Sequence, residues 1–128
     1  MVDALLVLQT STTQTSTYSG SGLSWPNGNR KPLVARILYS AATNVSGNNS
    51  VTFNIDFAPD GSTYQNIGAA APIALSTTAQ AGEIDIPFVT PLMAVPNTAA
   101  TIRLTATVAG SGSTPTITYS ATVGNAMP

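Results

Sequence analysis

Val51-Thr52-Phe53-Asn54-Ile55-Asp56-Phe57, running directly into Ala58-Pro59-Asp60-Gly61-Ser62, is the stretch that decides the fold. Apolar and polar residues alternate without a break. Val51, Phe53, Ile55 and Phe57 therefore share one face of an extended chain, and Thr52, Asn54 and Asp56 share the other. The first set belongs in a core, where each side chain stabilises the fold by roughly 1.5–3 kcal/mol, and the second belongs in solvent. Pro59 presets φ for a turn, and Asp60-Gly61 favours the positive φ values of a tight hairpin. A return strand is expected from Ser62 to Ile67, with Tyr64 packing inward or across the edge.

The same period extends in both directions along the chain. Leu33 to Ser40 places Leu33, Ala35, Ile37 and Tyr39 opposite Val34, Arg36 and Leu38. Both of these faces are partly apolar, which predicts a strand covered on both sides. Glu83 to Thr90 carries Ile84, Ile86 and Phe88 on one face, and Pro87 demotes it toward an edge or a bulge. Thr101 to Val108 aligns Ile102, Leu104, Ala106 and Val108, and Thr116 to Val123 aligns Ile117, Tyr119, Ala121 and Val123. Gly110-Ser111-Gly112-Ser113 between them suits a hairpin loop. No long segment shows apolar spacing of 3.6 residues. Seven or eight short strands with regular turn signals predict an all-β, two-sheet antiparallel β-sandwich, jelly-roll-like, whose connectivity the pattern does not reveal.

The beginning of the chain divides in two. Ala4 to Leu8 reads as a strand, and Gln9 to Gly22 as a low-complexity Ser/Thr tract ending in Ser19-Gly20-Ser21-Gly22. This tract is either a disordered leader or an extended N-terminal arm that adds to the open sheet edge of a neighbour. Trp25-Pro26-Asn27-Gly28-Asn29 reads as a turn. The expected division is a strand and arm over residues 1–24 and a single sandwich domain over residues 25–128. Asp3 stands where a signal peptide would carry positive charge, and no run approaches the ~20 apolar residues needed to cross a membrane. Neither a signal peptide nor a membrane partner is therefore expected.

Composition narrows the function classes. Of the 128 residues 43% are hydrophobic but only 7% charged, against an ordinary charged share of roughly 25%. The surface implied is neutral and hydroxyl-rich, poorly protected against association by charge repulsion and suited to an assembly. The four bases, Arg30, Lys31, Arg36 and Arg103, are too few and too scattered for duplex phosphate, so no nucleic-acid partner is expected. The chain has no Cys and no His. Disulfides, thiolate nucleophiles, cysteine zinc sites, the usual general base and the commonest metal ligand go with them.

What remains offers little chemistry. Glu83 and Asp85 lie two apart on one strand face, but two acids without a ligand-rich loop make a poor calcium site. Nothing in the spacing of the five acids favours the facing carboxylates of a glycosidase. There is no Gly-x-Ser-x-Gly elbow and no phosphate-binding loop. Asn44-Val45-Ser46 and Asn48-Asn49-Ser50 match the glycosylation pattern, which has meaning only on a secretory route. Trp25 either plugs one end of the core or, on a loop, stacks on a sugar ring. The expectation is a non-enzyme with no cofactor and no catalytic or metal residue.

The segment V-T-F-N-I-D-F-A-P-D-G-S-T-Y-Q-N-I-G, residues 51–68, resembles a pattern met in tailed-phage virion proteins. The surrounding order is similar: a Thr/Ser leader, Trp-Pro-Asn-Gly, the strand P-L-V-A-R-I-L-Y, and a late I-R-L-T-A-T-V-A-G. Together, over roughly residues 15–124, these resemble small β-sandwich decoration (cement) proteins of bacteriophage capsids. The resemblance implies a structural protein on the virion exterior, often a homotrimer, clamping neighbouring copies of the major capsid protein. The expected partner-contacting residues are Thr13, Thr15, Thr17 and Tyr18 on the arm, with Trp25, Arg30 and Lys31 on the following loops. The second expectation is a carbohydrate- or receptor-binding β-sandwich of a phage tail or surface protein, using aromatics such as Trp25, Tyr18 or Tyr64.

Overall fold

The alternation at 51–57 becomes the central strand of one sheet. In the computed structural model, which describes residues 4–20, 22–24, 32–89 and 100–125, strand β5 runs Asn49–Ala58. Val51, Phe53, Ile55 and Phe57 are all buried. The turn after it forms as the residues require: Gly61 takes a φ of 81° and its N–H donates to Ala58 O at 3.2 Å. Asp60 Oδ1 accepts from the backbone N–H groups of Ser62 (2.9 Å) and Thr63 (2.7 Å). Those two backbone bonds, Thr63 first, hold the Asp60 carboxyl down at about 2.

The other strands are β1 (Ala4–Gln14), β2 (Tyr18–Ser19), β3 (Leu23–Ser24), β4 (Leu33–Thr43), β6 (Gln65–Ala69), β7 (Ile73–Ala74), β8 (Gln80–Phe88), β9 (Thr101–Gly110) and β10 (Thr116–Asn125). Among the described residues there is no helix. One sheet has the order β1-β10-β4-β8. The other has the order β2-β9-β5-β6, with β3 also on β9 and β7 also on β5. All pairings are antiparallel. Successive segments mostly cross from one sheet to the other, so chain neighbours are seldom sheet neighbours. Taking β2/β3 and β6/β7 each as one interrupted strand gives eight, arranged in the two four-stranded layers of a jelly roll.

The core lies between the layers. Leu33, Ala35 and Ile37 of β4 and Ile117, Tyr119, Ala121 and Val123 of β10 face Phe53 and Ile55 of β5 and Ile102, Leu104 and Ala106 of β9. Phe53 and Tyr119 meet edge to face with ring centroids 5.0 Å apart. This geometry places the positive ring edge on a negative face and contributes beyond simple burial.

Expectations at two places in the chain are corrected, and one at a third holds. β4 is covered on both sides only in part: on its outer face Val34 is buried, but Leu38 is 52% exposed. Apolar residues on both faces of a strand do not by themselves specify a third layer. The strand expected at Ala4–Leu8 continues to Gln14, pairing Thr12, Thr13 and Gln14 with Tyr119, Thr118 and Ile117. Much of the tract read as a leader or arm is thus an edge strand of the chain's own sheet. Tyr18-Ser19 and Leu23-Ser24 likewise pair with β9. Pro87 falls on β8, which is an edge strand, where a missing N–H costs no ladder bond.

Candidate functional site

On the outer face of the second sheet, residues read from sequence as mere solvent-facing partners of the core assemble into a connected polar surface. β5 and β9 are in register through Asn54↔Thr105 and Asp56↔Arg103, and β6 adds Asn66 beside Asp56. With period two, these outward residues occur in adjacent rows, close enough to touch across strands.

Their contacts are specific. Arg103 Nε lies 3.4 Å from Asp56 Oδ2, and Thr105 Oγ1 donates to the same oxygen at 2.9 Å. The Arg103 guanidinium sits over the Tyr64 ring, 3.7 Å from its centroid, in a cation–π contact. The Tyr64 hydroxyl shares a hydrogen bond with Thr101 Oγ1 at 2.8 Å. Asn66 Nδ2 donates to Asn54 Oδ1 at 3.1 Å. The side chains of Asp56 and Arg103 are 14% and 27% exposed, which makes them markedly more desolvated than an ordinary surface pair.

A second charged cluster lies on the outer face of the first sheet. Arg36 Nε is 2.8 Å from Glu83 Oε1 and donates to Asp85 Oδ1 at 3.0 Å, while Nη2 reaches Asp85 Oδ2 at 3.3 Å. The hydrogen bonds to Asp85, then the charges of Asp85 and Glu83, raise the Arg36 pKa. These side chains are 37–47% exposed. The i, i+2 acid pair thus meets an arginine on the neighbouring strand. Among the described residues no three or more His, Cys, Asp or Glu side chains cluster to hold a metal ion.

Among the described residues, those expected to contact a partner join neither cluster. Thr13 lies on the edge strand β1, its hydroxyl 2.7 Å from that of Thr118. Thr15 is exposed in the connection to β2. Thr17 Oγ1 accepts from Val108 N at 3.0 Å and also lies 3.3 Å from Val108 O, which anchors the segment to β9. Tyr18 is half-buried and, with Val7, Leu8, Gln9, Thr10 and Leu23, lines a cleft of about 310 Å³ where the two sheet edges approach. Trp25, Arg30 and Lys31 lie outside the described residues.

Tyr64 is not the open stacking platform the sequence suggested, because Arg103 covers one side of its ring. Of the two glycosylation patterns, the first has its acceptor Asn44 only 4% exposed, which closes that amide to modification in the folded chain. Asn48, the second acceptor, is exposed.

No protein-family model and no curated protein matches the chain. Solved structures do. The N-terminal cellulose-binding domain of β-1,4-glucanase C from Cellulomonas fimi is 14% identical, with 88% of this chain and 70% of that chain covered and a TM-score of 0.43. A structure described as "CBM4 structure and function" is also 14% identical, over 97% of this chain and 90% of that one, with a TM-score of 0.43. The CBM22-1–GH10 modules of Clostridium thermocellum xylanase 10B, complexed with xylohexaose, are 10% identical over 97% of this chain and 28% of that chain, with a TM-score of 0.45. Likeness at this level is confined to architecture and assigns no ligand to this chain.

Proposed function

We propose that this chain is a non-catalytic β-sandwich module that binds carbohydrate on the outer face of its second sheet. The observation that carries the reading is the Asp56–Arg103–Tyr64 stack with Thr105 and the Asn54–Asn66 amide pair beside it. Sugars present rows of hydroxyls that both donate and accept. Carboxylate, guanidinium, amide and hydroxyl groups together supply both functions in fixed directions. Because these side chains already hold one another, little rotamer freedom remains to be lost when a ligand docks. A guanidinium has five N–H donors, and the ion pair with Asp56 engages Nε. Hydrogen bonding rather than ring stacking is the mode supported, since Tyr64 is partly covered.

The test is a glycan array on the purified chain, followed by calorimetry on any hit with Asn54→Ala/Asn66→Ala. Removing two hydrogen-bonding amides without touching the core should weaken binding by about tenfold or more at unchanged unfolding temperature. Absence of any glycan ligand, or an affinity indifferent to this double substitution, overturns the proposal.

A second reading, decoration of a phage capsid through contacts with the major capsid protein, is favoured by one observation. Among the described residues the acids Asp56, Glu83 and Asp85 and the bases Arg36 and Arg103 are all engaged in two local clusters. The remaining described surface is largely hydroxyl, amide and apolar, which suits permanent contact with other subunits. Cosedimentation with phage shells decides it: retention on shells supports capsid decoration, and a chain left in the supernatant removes it.

A further inference from the structure

We propose that β1 is a self-association edge: two copies pair β1 to β1, antiparallel, across a two-fold axis, and join their first sheets into one. An uncovered strand edge presents a row of unpaired N–H and C=O groups, and folded proteins usually blunt such edges. Among the described residues, three of the four sheet margins are blunted. β8 carries Glu83, Asp85 and Pro87. β6 has five residues and β7 two on one margin of the second sheet. β2 and β3 have two each on the other. Against these, β1 is an edge strand of 11 residues, Ala4–Gln14, without charge, Gly or Pro.

The occupant follows from charge and symmetry. Residues 4–20 contain no acid and no base. In a two-fold pairing each side chain lies near copies of its own neighbours, so any charge on the edge would be set against like charge, and here none is. Adding β1 of one copy to β8 of the next would instead build a closed ring or an open filament, according to the rotation between copies. That alternative meets two carboxylates and, at Pro87, a residue with no N–H to donate. The edge that can pair is therefore open only to its own kind, and the assembly closes at two.

The strength is limited by the strand itself. Register shifts against β10 fall between Ala4 and Leu6, Val7 and Gln9, and Gln9 and Thr12, leaving Thr12–Gln14 as the longest regular run. Bulges twist an edge and interrupt its ladder, so the pairing is reversible and visible only at high protein concentration.

Sedimentation velocity and light scattering on the full chain, from micromolar to millimolar, test the inference. The expected result is a monomer–dimer equilibrium that Ser11→Lys/Thr13→Lys weakens by at least about tenfold, because the added charges gather near one another across the two-fold axis. Both sites are exposed, so the unfolding temperature should hold. If that pair does not fold, Val7→Lys, at a position 54% exposed, is read the same way. A monomer at every concentration, a trimer or open-ended assembly, or a lysine variant that dimerises as well as the parent each overturns it.

Discussion

Asn44 should be the most consequential polar residue among those described, and the reason can be worked from its surroundings. It is 4% exposed, just beyond β4, and its Nδ2 lies 2.9 Å from Gly47 O, 3.0 Å from Asn49 Oδ1 and 3.3 Å from Ser46 O. Asn49, itself 7% exposed, passes the link on through Nδ2 to Ala109 O. The backbone joins in: Val45 N donates to Ser113 O and Ser113 N to Ser46 O, while Asn44 N donates to Ser76 O. The side-chain amide thus closes the β4–β5 connection onto itself and onto Asn49, while backbone bonds of Asn44, Val45 and Ser46 tie that connection to those of β7–β8 and β9–β10. Gly112 is required for the closeness, because a Cβ there would lie 2.6 Å from the backbone oxygen of Ser46 and run into Asn49 Oδ1. Among the described residues Asn44 Oδ1 has no partner, so Asn44 acts here as a donor only. Asn44→Asp keeps the shape and removes the donors, leaving Asn49 Oδ1 buried and unpaired and the part-buried Gly47 O without its partner, and a buried acceptor left unpaired costs about 1–3 kcal/mol. Two hydrogens serve the two shorter contacts; the buried Asn49 Oδ1 accounts for about 1–3 kcal/mol and the part-buried Gly47 O for about 1, so the loss is about 2–4 kcal/mol, a large share of a domain's stability. The new carboxyl, buried among oxygens, has its folded pKa raised above the unfolded value. The deficit is therefore smaller below the unfolded pKa, where a protonated acid donates one bond, and grows as pH rises toward the folded pKa. Urea unfolding of parent and Asn44→Asp at pH 4 and pH 7 measures both parts. A difference under about 1 kcal/mol at pH 7, or one that ignores pH, would falsify the account of this hub.

Two further expectations concern single groups. Burial first, and the charge of Tyr18 second, push the Tyr119 phenol from 10.0 up to about 12. The folded pKa is raised, so stability is intact below pH 10 and is lost as pH rises between 10 and 12, by at most about 2–3 kcal/mol. Urea melts across that window should show a shallower decline in Tyr119→Phe, and parallel declines would exclude Tyr119 as the cause. Ala41, exposed, takes a φ of 50° where β4 bulges between Tyr39 and Ala42. Left-handed φ costs an L-residue about 1–2 kcal/mol, and glycine's added chain entropy returns part of that. Ala41→Gly should therefore raise stability by about 0.5–1 kcal/mol in thermal unfolding, and a drop would show that the methyl group is needed there.

The parts of the fold legible in sequence are those where one face is wholly apolar and the other wholly polar. β5 qualifies, as do β9, β10 and the inner face of β8, and each lies close to where its alternation predicts. β1 escaped beyond Leu8 because its inward-register residues include Gln9, Thr12 and Gln14, paired with buried Ala121, Tyr119 and Ile117. Polar residues at inward positions erase period two. They are tolerated at the open margin of the sandwich, where they remain only half-buried. β4 ran past Ser40 because the bulge at Ala41 shifts its phase. Strand order was invisible for a different reason. The partners of β4 are β8 and β10, and nothing local to residues 33–43 names strands so far along the chain.

The candidate site was hidden by the rule that found the fold. Thr52, Asn54 and Asp56 are the polar complement of the best core strand, and polar complements are ordinarily solvated and independent. Asp56 and Arg103 meet only because β9 returns beside β5. Once they do, their 14% and 27% exposure separates them from the Arg36–Glu83–Asp85 cluster at 37–47%. An ion pair as exposed as the second is worth little and needs no further explanation. The first has given up more hydration without entering the core, through an ion pair stretched to 3.4 Å, a ring beneath the guanidinium and a hydroxyl on the carboxylate. A cross-strand staple alone would need only the charge pair. The added Tyr64, Thr105 and amide contacts fix directions rather than add charge. Fixed directions matter to a ligand that is recognised by hydrogen bonds. The Asn54→Ala/Asn66→Ala test separates the two roles, because those amides lie outside the ion pair and their loss should alter binding while leaving the staple in place.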